Sequence, residues 1–108
     1  MITEKVREYL KTADLHKADL QHIADHIGMA SSTMAWRLRR DGVTFLKLRD
    51  DERKARAAAL LVRNPHADTA AMIRVTGYAE ASISRAVRRW FGCTLPQARQ
   101  DDIFGGAA

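Results

Sequence analysis

The stretch Ile23-Ala24-Asp25-His26-Ile27-Gly28-Met29-Ala30-Ser31-Ser32-Thr33-Met34 has a counterpart forty-nine positions on, Met72-Ile73-Arg74-Val75-Thr76-Gly77-Tyr78-Ala79-Glu80-Ala81-Ser82-Ile83. In each copy a short apolar stripe at helical spacing runs into a glycine. Glycine ends a helix readily because it enters the left-handed conformation without a Cβ penalty. A second helix then opens about three residues later, anchored by Met34 in one copy and Ile83 in the other. That is the pattern of a helix-turn-helix, in which the second helix enters the major groove of DNA. A single copy would equally suit an ordinary helical hairpin, since alanine and glycine are common. Repetition at a fixed offset, with arginines gathered on both second helices, favours the helix-turn-helix.

Outward from these two copies, apolar residues recur at helical spacing and nothing alternates with period two for long, so the chain reads as all-α with about seven helices. The first spans roughly 3–12, with Ile2, Val6, Tyr9 and Leu10 on one stripe. Asp19 opens the second, which buries Leu20, Ile23, Ala24 and Ile27 before Gly28. The third covers about 31–40 with Met34 and Leu38 inward. After Gly42 a long connecting helix runs from about Thr44 to Arg63, with Phe45, Leu48, Ala57, Ala58, Leu60 and Leu61 as its apolar positions. Asn64-Pro65 ends it, and Asp68 caps a helix over 69–76. Gly77 turns the chain into a sixth helix at 80–91, carrying Ile83, Val87, Trp90 and Phe91. Thr94-Leu95-Pro96-Gln97 has the form of a capping box and predicts a short last helix. The expected organisation is a first helix-turn-helix subdomain at 1–43, the connector at 44–63, a second subdomain at 64–101 and a flexible tail at 102–108.

Of 108 residues, eighteen are Lys or Arg and thirteen Asp or Glu, a formal net charge of +5. The excess is unevenly placed. Residues 1–35 hold four basic and five acidic side chains, whereas residues 36–63 hold nine basic against four acidic. Arg85, Arg88, Arg89 and Arg99 follow with no acid between positions 85 and 99. Solvated helix faces usually mix their signs, so single-sign helix ends favour phosphate contact. Cys93 stands alone, which excludes an internal disulfide; with no leader and no apolar run long enough to span a bilayer, a cytoplasmic location is expected.

These features resemble the DNA-binding domain of the AraC/XylS family of bacterial transcription regulators. Gly28 through Phe45 follows the family's first recognition helix and the glycine-to-phenylalanine turn after it. Phe45, Leu48, Arg53, Ala57 and Leu61 resemble its connecting helix. Gly77-Tyr78, then Ser84-Arg85 and Arg88-Arg89-Trp90-Phe91-Gly92, resemble the signature near its end. The likeness covers roughly residues 3–99. Three departures stand out: Ile73 replaces the usual alanine at the second helix crossing, the second turn is one residue short, and Leu95 holds the place of a proline. The bulk of Ile73 predicts that the two helices of the second unit are pushed apart or that one is rotated.

The resemblance implies two helix-turn-helix subdomains joined by a long helix, with recognition helices in adjacent major grooves. On the first, Ser31, Ser32, Ala35 and Trp36 would face DNA, with Arg39 or Arg40 near phosphates. On the second, Ala81, Ser82, Ser84 and Arg85 would do so, with Arg88 and Arg89 near the backbone. Only Arg85 among these can clasp a guanine edge with two bonds. Trp36 has two readings, a packed aromatic or an exposed groove reader. Helical phase favours the second, because Met34 and Leu38 each lie about 160° away. Trp90 reads as core beside Phe91, and Cys93 as a buried inert thiol. His22 and His26, four apart, read as a solvated pair without a third metal ligand.

No nucleophile, base and orienting group come together, so no enzyme is expected, and no cofactor, metal or membrane contact. The implied function is a sequence-specific transcription regulator of duplex DNA, read as an activator before a repressor, with RNA polymerase as a candidate partner. The chain would be a free-standing monomer or the DNA-binding fragment of a longer protein. The alternative is a protein-interaction module that uses the same fold to bind a polymerase subunit or another regulator, with a degenerate second reader.

Overall fold

A computed structural model describes residues 2–92. The described residues form six helices and no strand: α1 (Ile2–Thr12), α2 (Leu20–Ile27), α3 (Ser31–Arg40), α4 (Phe45–Arg63), α5 (Thr69–Thr76) and α6 (Glu80–Phe91). The all-α expectation holds, with element bounds within a residue or two. Cys93, the short helix expected at Thr94–Gln97, Arg99 and the tail lie outside the described residues. The chain divides into two compact units, Met1–Glu52 and the residues from Arg53 onward, so the division falls within α4.

The first unit has a core of Val6, Leu10, Leu15, Ile23, Ala24, Met34, Leu38, Phe45 and Leu48, each no more than 9% exposed. Leu15 and Ala18, in the loop ahead of α2, belong to this core although no helical stripe announces them. The repeat does mark one of them. Ala18-Asp19 recurs as Ala67-Asp68, and both alanines are buried immediately before the aspartate that opens a helix. Two polar contacts tie the unit together. The Thr3 hydroxyl donates to Asp41 at 2.6 Å, joining α1 to the end of α3. Arg49 donates to the Ala18 carbonyl at 3.1 Å, with its guanidinium 5.3 Å from the Phe45 ring.

The second unit is built around Ala57, Leu60, Leu61, Ala67, Met72, Ile83 and Val87. It repeats the local plan of the first with one difference. α2 turns Ile23 and Ala24 inward, whereas α5 buries Met72 and Thr76 and leaves Ile73 half-buried. Ile73 occupies the position of Ala24 in the repeat. The branched side chain of Ile73 needs more room than the methyl of Ala24, and it lies at the margin of the core. The Thr76 hydroxyl is buried, and burying it requires partners. Thr76 Oγ1 donates to the Met72 carbonyl at 2.8 Å and accepts from the Tyr78 N–H at 3.3 Å.

Helix boundaries follow the expected chemistry. Asp19 Oδ1 accepts from the His22 N–H at 2.8 Å, and Asp68 Oδ1 accepts from the Ala71 N–H at 2.9 Å. The His22 backbone bond, helped by the His22 ring, holds the Asp19 carboxyl below the usual carboxylate range. Thr44 Oγ1 accepts from the Lys47 N–H at 3.1 Å and so opens α4. Gly28 and Gly77 close α2 and α5 with φ of 84° and 80°, a region that side chains rarely adopt. Replacing Asp68 with Ala is expected to cost about 1 kcal/mol through the lost cap, read from the midpoint of urea unfolding.

Candidate nucleic-acid interface

α3 divides its residues sharply. Met34 and Leu38 are fully buried, which turns the opposite side of the helix to solvent. Trp36 is 55% exposed there, so the structure takes the exposed reading over the packed one. Ser32, Arg39 and Arg40 are exposed as well, and Ser31 and Ala35 are half-buried. The Arg40 guanidinium lies 5.0 Å from the centre of the Trp36 ring, within cation–π range. This pair, with Arg37, Asp41 and Ile2, lines an open surface groove. Arg37 was not singled out from the sequence, although its place one turn before Arg40 puts both on one side of the helix.

α6 repeats the arrangement. Ile83, Ala86 and Val87 are buried, while Ala81, Ser84, Arg85, Arg88 and Arg89 are exposed and Ser82 is half-buried. At the forty-nine-residue offset, Ala35 corresponds to Ser84, Trp36 to Arg85, Arg39 to Arg88 and Arg40 to Arg89. The two second helices therefore present different chemistry at their central exposed position, an indole on α3 and a guanidinium on α6.

Arg89 has structural work to do in addition. Its Nη2 donates to the Tyr78 hydroxyl at 3.1 Å, and its guanidinium lies 5.7 Å from the Trp90 ring. Trp90, expected in the core, is half-buried at the margin of the second core, with ring centres 6.0 Å from Phe91, the expected neighbour, and 5.6 Å from Tyr78. Arg53 joins this cluster, 8% exposed and with its guanidinium 4.2 Å from the Tyr78 ring centre. That packing role was legible only as a matched position in the connecting helix.

Ion pairing divides the cations of the described residues, and Lys5, Lys17, Lys54, Arg63 and Arg74 outside α3 and α6 form no ion pair either. Arg7 pairs with Glu4, Lys11 with Glu8 and Lys47 with Asp51, all at 3.0 Å or less. Among the described residues, no carboxylate forms an ion pair with Arg37, Arg39, Arg40, Arg85 or Arg88. Four of these sit in the last turn of α3 or α6, where a cation also complements the partial negative charge of the carbonyl end. Arg85 lies mid-helix and has no such role.

The histidines do not converge on a site. His22 contacts Asp19 at 2.8 Å, and the His26 ring packs against Tyr9 at a tilt of 53° with ring centres 4.9 Å apart. Among the described residues no group of three His, Cys, Asp or Glu side chains is placed to hold a metal ion. No described helix is long and apolar enough to cross a membrane.

No family model matches the chain. It is 36% identical over 87 residues to the HTH-type transcriptional regulator VirS of Mycobacterium tuberculosis, in two strains. That match takes in 80% of this chain and 24% of the relative, so the chain spans about a quarter of the length of the regulator it matches. In fold it is similar to a DNA-binding transcriptional dual regulator of Escherichia coli K-12, with a TM-score of 0.83, 19% identity and coverage of 94% and 92% of the two chains. It is also similar to the C-terminal domain of AraT, a response regulator from Geobacillus stearothermophilus, with a TM-score of 0.81, 19% identity and coverage of 93% and 84%. The duplicated helix-turn-helix pattern at a forty-nine-residue offset, the match of four-fifths of the chain to part of an HTH-type regulator and the shared fold together support an AraC-like DNA-binding domain.

Proposed function

We propose that the chain is a transcription regulator that binds duplex DNA, with α3 and α6 each entering a major groove. The observation that carries this reading is the shared construction of the two second helices. Each is anchored by buried apolar residues on one side and exposes arginines on the other, of which Arg37, Arg39 and Arg40 on α3 and Arg85 and Arg88 on α6 form no ion pair among the described residues. Arg39, Arg40 and Arg88 serve phosphates, and Arg89 does so while holding Tyr78. Ser31, Ser32, Ala35 and Trp36 face bases from α3, and Ala81, Ser82, Ser84 and Arg85 from α6. Phosphate contacts set position and most of the affinity, and base contacts set preference. A list with one bidentate reader implies modest preference. The sense of regulation suggested by the resemblance is activation, through contact with RNA polymerase by a monomer.

Selection of bound duplexes from a random pool tests the reading. Recovery of an enriched motif is the expected result, and its length reports whether one unit or both make contact. If the purified chain retains no duplex at low salt, the DNA reading fails and the protein-interaction module takes its place. Replacing Arg85 with Ala is expected to relax preference at one base pair, a loss of about 1–3 kcal/mol of discrimination there, with general affinity largely kept. Uniform loss across all sequences in the same competition assay would instead make Arg85 a phosphate contact.

A further inference from the structure

We infer that Trp36 is a thymine reader, which makes the target asymmetric: a thymine-containing element under α3 and a guanine-containing one under α6. The inference rests on the DNA-binding reading above and names the base chemistry of its first half.

The exposed indole combines two features. It has an apolar ring edge and a single donor, Nε1–H, with no acceptor. Each base shows a distinct pattern in the major groove. Cytosine presents an amino donor, and adenine presents one beside its N7 acceptor. A side chain without an acceptor leaves those amino groups stripped of water and unsatisfied. Guanine presents two acceptors, of which the indole can serve one. Thymine presents a methyl group beside one acceptor, O4, which matches a ring edge beside one donor.

The surroundings of Trp36 strengthen the match. Arg40 lies 5.0 Å from the ring centre, so one face of the indole is occupied by a cation from its own helix. With that face covered, the ring is favoured to meet DNA by its edge or remaining face instead of sliding between base pairs. Ala35, the neighbouring base-facing position, brings only a methyl and supplies no competing polar contact. The counterpart of Trp36 in the repeat is Arg85, whose fork of donors suits guanine. One frame, used twice, thus holds two different base readers.

Single substitutions of deoxyuridine for thymidine in the duplex recovered from the random pool test this, because they remove one methyl and nothing else. For the unaltered chain, one position is expected to lose about fourfold in affinity, the equivalent of one buried carbon. Trp36→Ala should bind the thymidine duplex more weakly and respond equally to thymidine and deoxyuridine at that position. Trp36→Phe, which keeps a ring and loses the N–H, should retain the methyl response. If no position of the duplex responds to deoxyuridine, or the response survives intact in Trp36→Ala, the inference is overturned while duplex binding stands. If the chain binds no duplex, the DNA reading is lost and this one with it.

Discussion

Raising salt from about 50 to about 200 mM is expected to weaken duplex binding about 40-fold to about 500-fold. The range follows from counterion release, which makes the logarithm of affinity fall with the logarithm of salt by about 0.9 per phosphate neutralised. Five arginines on α3 and α6, namely Arg37, Arg39, Arg40, Arg85 and Arg88, form no ion pair among the described residues. If three to five of Arg37, Arg39, Arg40, Arg88 and Arg89 each meet a phosphate while Arg85 serves a base, a fourfold rise in salt gives the stated range. The paired cations Arg7, Lys11 and Lys47 add little, because a neighbouring carboxylate already neutralises each. The double variant Arg39→Ala, Arg88→Ala should lower the slope by about two. Fluorescence anisotropy of a labelled duplex reads both quantities, and a salt-independent affinity would remove the arginines from the interface.

The second large effect concerns stability and separates two residues of one helix. Leu38→Ala should destabilise the chain by about 2–5 kcal/mol, because a fully buried leucine leaves a cavity that its neighbours fill only in part. Folded domains are stable by only about 5–15 kcal/mol, so this is a large share of the total. Trp36→Ala, two positions away, should cost less, about 0.5–1 kcal/mol, chiefly through the lost contact with the Arg40 guanidinium. Its main effect should appear in DNA binding. Urea unfolding of both variants and a binding titration of the second check the contrast. A fall in Tm for Trp36→Ala comparable to that of Leu38→Ala would place the indole in the core.

Much of this architecture was open to inspection in one dimension because its determinants are local. Asp19 and Asp68 cap helices through N–H groups three residues away, and Gly28 and Gly77 stop them through their own backbone angle. Neither depends on distant parts of the chain. The phase of α3 was equally legible, since Met34 and Leu38 recur at one helical turn and leave Trp36 on the other side. Leu15 and Arg53 were harder. Leu15 sits in a loop with no period to betray it, and Arg53 sits among charges that normally face solvent. The Tyr78 ring, twenty-five residues further along, packs on that guanidinium and helps make its burial tolerable.

Read alone, the residues determined the all-α class, the duplicated helix-turn-helix and the exposed side of each second helix, because caps, glycine stops and apolar period act over a turn or two. Tertiary packing decided what those short-range signals leave open. It buried Thr76 while leaving Ile73 half-buried, it gave Arg89 to the Tyr78 hydroxyl, and it set the Arg53 guanidinium on the Tyr78 ring. Each of these depends on which side chains share a limited volume, and steric competition of that kind exists only once the helices have met.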